Sequence, residues 1–141
     1  MPTWLKALLI VLLAMQLVPY GRGDRTNPTV VTEPEWDSPI TRELTKRACF
    51  DCHSNETVWP TYTRIAPASW LIWHDVEEGR ELLNFSEWNR PYEEAADAPE
   101  EIREGAMPPL PYQLMHRMAR LSDAEQAALV TGLEKTLGLA K

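Results

Sequence analysis

The chain has 141 residues, 44% hydrophobic and 25% charged, the balance of one small globular domain with a tail rather than a disordered or multidomain protein. A formal net charge of −7 argues against a nucleic-acid partner and for a basic partner surface, or for solubility alone. Twelve prolines predict many loops and short helices, and six tryptophans suit a small fold wrapped around a large flat apolar group.

Met1 to Lys6 form a short, weakly basic start, and Ala7 to Val18 is then apolar except for Gln16. Trp4 and Tyr20 bracket a run of 17 residues, the short limit for a spanning helix with interfacial aromatics. The run also has the character of an export-signal core, but Val18 to Arg25 lacks an Ala-x-Ala-like cleavage site. Residues 1–20 are therefore expected to be an uncleaved signal-anchor or transmembrane helix, with cleavage and secretion as the alternative. Residues 21–36 read as an extended linker broken by Gly21, Gly23, Pro28 and Pro34, and the folded domain is expected over 37–141.

Asp37-Ser38-Pro39 is a polar cap followed by proline, a helix start. Ile40, Leu44 and Ala48 recur at i+4 and predict one apolar stripe. This helix runs directly into Cys49-Phe50-Asp51-Cys52-His53, the C-x-x-C-H pattern that attaches c-type haem. Two thiols add across the haem vinyl groups as thioethers, and the following imidazole takes the proximal position on iron. Cys49 and Cys52 are the chain's only cysteines. A thioredoxin-like pair needs a βαβ context that is not visible, a zinc site needs ligands the chain does not pair here, and a disulfide would close a very small loop. Haem attached in this way places the domain outside the cytoplasm. The expectation is the periplasmic side of the bacterial inner membrane, with the first segment as the membrane contact.

Pro67-Ala68-Ser69-Trp70 opens a third helical stretch to about Leu83, and Pro99 to Glu104 predicts a short helix ending at Gly105. Ser122-Asp123-Ala124-Glu125 is a capping box, followed by Leu129, Leu133 and Leu137 at i+4 and by Gly138 as a stop. These leucines are core, and the helix that starts at Pro39 is their natural partner. No stretch alternates as a strand. The expected fold is all-α, a cytochrome c-like helical domain with long proline-rich loops, preceded by an N-terminal hydrophobic helix.

Gly105-Ala106-Met107-Pro108-Pro109 supplies the candidate distal ligand. A Met thioether opposite His raises the reduction potential, and a weak ligand benefits from a loop stiffened by prolines. His74, one turn after Trp70 and followed by Glu77 and Glu78, is the alternative distal ligand or an ion-paired rim residue. His116 reads as hydrogen-bonded or exposed, and Met115 and Met118 as core. Arg64, Arg80 and Arg90 are candidates to neutralise haem propionates, and Trp59, Tyr62 and Trp70 to pack on the haem.

From about Trp36 to Leu137 the chain resembles the bacterial haem-binding domain family of small exported or anchored c-type cytochromes. The resemblance is carried by Cys49 to Thr57, Trp59-Pro60, Ala66-Pro67, Ser69-Trp70-Leu71, His74, Gly79-Arg80, Asn84-Phe85-Ser86-Glu87-Trp88 and Met107-Pro108. It implies one bound haem. With His53 and Met107 both on iron, the expected function is electron carriage between redox partner proteins of the respiratory chain or periplasm, without catalysis. An empty or labile sixth position would instead suit a gas sensor or a peroxidase-like protein, with His74 or Arg80 as the polar distal group. A thiol role for Cys49 and Cys52 is the non-haem reading.

Overall fold

Ser38 and Pro39 begin their helix as their chemistry dictates. Pro39 lacks the amide hydrogen that a first turn leaves unpaired, and the Ser38 hydroxyl accepts from the Thr41 N–H at 3.2 Å. The computed structural model describes residues 1–21 and 25–139. Among these residues lie α1 (Thr3–Met15), α2 (Pro39–Ala48), α3 (Phe50–His53), α4 (Ala68–Leu82), α5 (Ala98–Arg103), α6 (Leu110–Met115) and α7 (Asp123–Thr136). Single 3₁₀ turns occupy Thr61–Arg64, Glu93–Ala96 and Arg117–Ala119. No strand forms among the described residues, and one isolated parallel bridge pairs Thr32 with Glu87. The regular structure is all-helical, as expected.

The Ser122–Glu125 capping box is closed in both directions, and α7 follows it with Leu129, Val130 and Leu133 buried. The helix packs on α5 and α2. Its crossing with α2 is close because Gly132 has no side chain: a Cβ there would lie 2.0 Å from the Thr41 hydroxyl. Thr41 therefore takes the buried position on α2, with Leu44, Thr45 and Ala48, and Ile40 is turned outward at 67% exposure. The expected Ile40–Leu44–Ala48 stripe is rotated by one residue at its first member for this reason.

The core unites Leu44, Ala48, Phe50, Leu83, Phe85, Ile102, Leu129, Val130 and Leu133. Trp36, Phe50, Phe85 and Trp88 form an aromatic cluster within it, Phe85 standing 5.4 Å from Trp36 and 5.9 Å from both Phe50 and Trp88. Phe50 is thus the residue by which the Cys49–His53 segment is rooted in the core, a burial worth about 1.5–3 kcal/mol. The preceding extended segment lies along the same region, with the Val31 and Thr32 N–H groups both donating to the Ser86 carbonyl at 2.8 and 3.1 Å.

The N-terminal expectation is corrected. Helix α1 has 13 residues, a length of about 20 Å against a hydrocarbon core of ~30 Å. No helix among the described residues is long and apolar enough to cross a membrane. The 17-residue count ran through residues that leave the helix. The Gln16 side-chain amide turns to Ala66, donating to its carbonyl at 2.9 Å and accepting from its N–H at 3.1 Å. Gly21, at φ +67°, then lies against Ser69 and Trp73.

Gly132→Ala should destabilise the domain by about 1–3 kcal/mol through overpacking against Thr41. Thermal unfolding checks this: the midpoint falls in Gly132→Ala and recovers in part when Thr41→Ala is added.

Candidate functional site

Helix α2 ends at Ala48, and the chain tightens at once into the single turn of α3. The Cys52 and His53 N–H groups both donate to the Cys49 carbonyl, at 3.2 and 2.8 Å. Spacings of three and four residues place Cys49, Cys52 and His53 on one side of that turn. Both cysteines are free thiols, and burial pushes each up to about 12. They are protonated and unreactive by themselves at neutral pH, which does not suit a thioredoxin-like nucleophile.

His53 is clamped by the end of α4. Its Nδ1 lies 2.8 Å from the Gly79 carbonyl and 3.0 Å from the Leu83 carbonyl. Two acceptors there require Nδ1 to carry the proton, so the Nε2 lone pair is free, and no described residue hydrogen-bonds it. Burial lowers the imidazole's proton affinity and keeps the ring neutral. The approach depends on Gly79, since a Cβ there would lie 2.6 Å from the Cys52 carbonyl.

A buried polar lattice holds the chain just beyond His53. The Phe85 N–H donates to the His53 carbonyl at 2.8 Å. The Asn55 N–H donates to the Ser86 hydroxyl at 2.9 Å, the Asn84 amide donates to Asn55 Oδ1 at 2.8 Å, and the Ser86 N–H donates to Asn84 Oδ1 at 2.9 Å. Ser54, Asn55, Asn84 and Ser86 are all buried. Within Asn84–Trp88, Phe85 fills the core and Trp88 packs against it, while Asn84 and Ser86 pair the loop after the motif. Arg80 is engaged in the same loop, donating from Nε to the Ser54 carbonyl and from a terminal nitrogen to Thr57 Oγ1, both at 2.8 Å.

The other predicted residues fall in two places. His74 stands on the outer side of α4, 60% exposed on its side chain, with Nε2 3.7 Å from a Glu78 carboxylate oxygen. Gly79, five residues on, is about 140° around the helix from it, so the face packed on the motif does not carry His74. Met107 is 37% exposed in the loop between α5 and α6, where its N–H donates to the Glu101 carbonyl at 3.1 Å. His116 Nε2 lies 2.9 Å from the Tyr62 hydroxyl and its Nδ1 3.1 Å from the Tyr112 carbonyl. Met115 and Met118, expected in the core, are exposed, and α6 buries none of its residues.

Sequence reading missed Asp51 and Tyr112. The Tyr112 hydroxyl donates to Asp51 Oδ2 at 2.7 Å, and Asp51 Oδ1 accepts from the Val58 N–H at 2.8 Å. Burial and that bond hold the Tyr112 phenol well above its usual range. No local signal pairs residues so far apart in the chain.

Among the described residues no three His, Cys, Asp or Glu side chains gather into a metal site. A metal at His53 must bring most of its own ligands, as a porphyrin does. A neutral imidazole with a free Nε2 and two thiols on the same turn fit that requirement. Residues 10–135 match the family model described as the haem-binding domain, and the chain belongs to that family. Neither the curated proteins nor the solved structures contain a significant match. The protein binds haem, and Cys49–His53 is the candidate segment to hold it.

Gly79→Ala should force α4 off the motif turn, breaking the Nδ1 contact. Haem content per polypeptide after expression with maturation machinery should fall sharply, while Gly105→Ala, where an added Cβ meets nothing within 4 Å, should load far better.

Proposed function

We propose that this haem-binding protein is an exported single-haem c-type cytochrome that carries electrons. In this reading Cys49 and Cys52 hold the haem as thioethers, His53 Nε2 is the proximal ligand and the Met107 thioether is the distal one. The observation that carries the reading is the His53 clamp. Two carbonyls fix the tautomer and the ring plane, and both thiols share the same turn. Bound haem supplies a one-electron iron couple.

The chain's own residues set the conditions for that couple. The Gly79 and Leu83 carbonyls, at the negative end of α4, draw on the Nδ1 proton and strengthen Nε2 as a donor. Met107, a neutral soft ligand, favours the reduced state and opposes that effect. With both axial positions filled from the chain, no coordination site is left for a substrate, and the protein passes electrons without catalysis. The pairing of His74 with Glu78 on the outer side of α4 argues for Met107 over a bis-His arrangement. The apolar residues left exposed on α6, Leu110, Leu114 and Met115, suit a helix laid against a porphyrin face.

Covalent attachment adds two reduced thiols across the haem vinyl groups and takes place in the compartment where c-type haem is matured, and the apolar run from Ala7 suits an export signal. The net charge of −7, made more negative by haem propionates, suits a basic redox partner.

The test is a spectrum of the periplasmically matured protein. Ferric wild type should show the weak far-red charge-transfer band of sulfur-ligated haem, and Met107→Ala should lose it and show a lower reduction potential. Haem should stay with the polypeptide through denaturing electrophoresis and be released in Cys49→Ser with Cys52→Ser. A low-spin spectrum unchanged in Met107→Ala would overturn His/Met ligation.

A further inference from the structure

Helix α6 is held unlike the rest of the domain. It has no buried residue, and among the described helical elements it packs only on the neighbouring 3₁₀ turn Arg117–Ala119. Hydrophobic burial therefore does not fix it, although it directly follows the Met107 loop. Two side-chain hydrogen bonds tie it and its C-terminal cap to the motif side of the domain: Tyr112 to Asp51 at 2.7 Å, and His116 to Tyr62 at 2.9 Å. The Tyr112 and His116 rings are stacked, with centroids 4.1 Å apart.

We propose that the Tyr112–Asp51 hydrogen bond is the latch that holds the Met107-bearing strap, residues 107–116, over the haem motif, which makes Tyr112 a positioning residue for the sixth ligand. This rests on the His53–Met107 reading. Asp51 is the residue directly before Cys52, so the latch closes on the same turn that carries both thiols and His53. Its carboxylate has both oxygens engaged, one by Tyr112 and one by the Val58 N–H at 2.8 Å, and so is held in place. The stretch from Met107 to Tyr112 is short and stiff. Pro108 and Pro109 fix φ, and the Gln113 side-chain amide donates to the Pro108 carbonyl at 2.6 Å. Displacement at Tyr112 is therefore passed on to Met107. A thioether is a weak ligand, and its occupancy follows the population of the closed strap.

Matured holoprotein is compared as wild type, Tyr112→Phe, Asp51→Asn, the double variant and Met107→Ala. The readouts are the ferric far-red band, the reduction potential and carbon monoxide binding by the ferrous protein. Removing one hydrogen bond to a charged acceptor should raise the open population, and with it carbon monoxide association, about tenfold. Tyr112→Phe should thus weaken the far-red band and lower the potential while retaining haem, since the phenyl ring still stacks on His116. The double variant should exceed the larger single effect little, because both changes remove the same bond. Should Tyr112→Phe fail to load haem, Asp51→Asn carries the same comparison. Wild-type carbon monoxide association and band in Tyr112→Phe, or in Asp51→Asn where that variant stands in, alongside a lost band in Met107→Ala, overturns the latch and leaves His/Met ligation standing. A wild-type spectrum in Met107→Ala overturns the ligation reading and the latch with it.

Discussion

The contact between the Cys49–His53 turn and the C-terminal end of α4 is the constraint on which the site depends. It works only because Gly79 lacks a side chain where the Cys52 carbonyl approaches. That approach brings the Gly79 and Leu83 carbonyls to His53 Nδ1 and leaves Nε2 free. From the other side Phe50 anchors the same turn among Leu44, Phe85 and Leu129. A turn of five residues is thereby fixed through one apolar root at Phe50 and one polar clamp at His53, and it carries Cys49 and Cys52.

The two faces of the site are built on different physics. The proximal face, around Asn55, Asn84 and Ser86, is buried and its polar atoms are paired with one another. Leaving any of those groups unpaired costs about 1–3 kcal/mol, so this face is rigid. Of the strap that carries Met107, Pro108 is buried and the Met107 N–H is held by the Glu101 carbonyl, while α6 buries none of its residues and rests on hydrogen bonds at Tyr112 and His116. In the His53–Met107 reading proposed above, this gives a firm proximal ligand and a lightly held distal segment. Under the same proposal, haem adds the apolar surface on which the exposed Leu110, Leu114 and Met115 close.

Local signals were legible in the sequence and long-range ones were not. The C-x-x-C-H spacing, the Ser38-Pro39 start and the Ser122–Glu125 capping box each rest on residues within one turn, and each helix forms where its cap places it. The Gly79–Cys52 approach, the Asn55–Asn84 pair and the Tyr112–Asp51 bond join residues 27 to 61 apart, and no periodicity announces them. Ile40 is apolar at the expected spacing, but the Thr41–Gly132 crossing decides which side of α2 is inside. At the N-terminus a count of apolar residues overstated the helix, because Gln16 turns to pair with Ala66 where hydropathy alone would let the helix continue.

The central claim is that the end of α4 fixes the His53 tautomer and presents Nε2 to iron. Proton and nitrogen magnetic resonance of ferrous holoprotein with ¹⁵N-labelled histidine measures this directly. The account predicts a protonated His53 Nδ1 whose hydrogen exchanges slowly with solvent, with Nε2 as the iron-bound nitrogen. An Nδ1 hydrogen that exchanges as fast as that of the exposed His74, or iron bound through any other histidine, would contradict it.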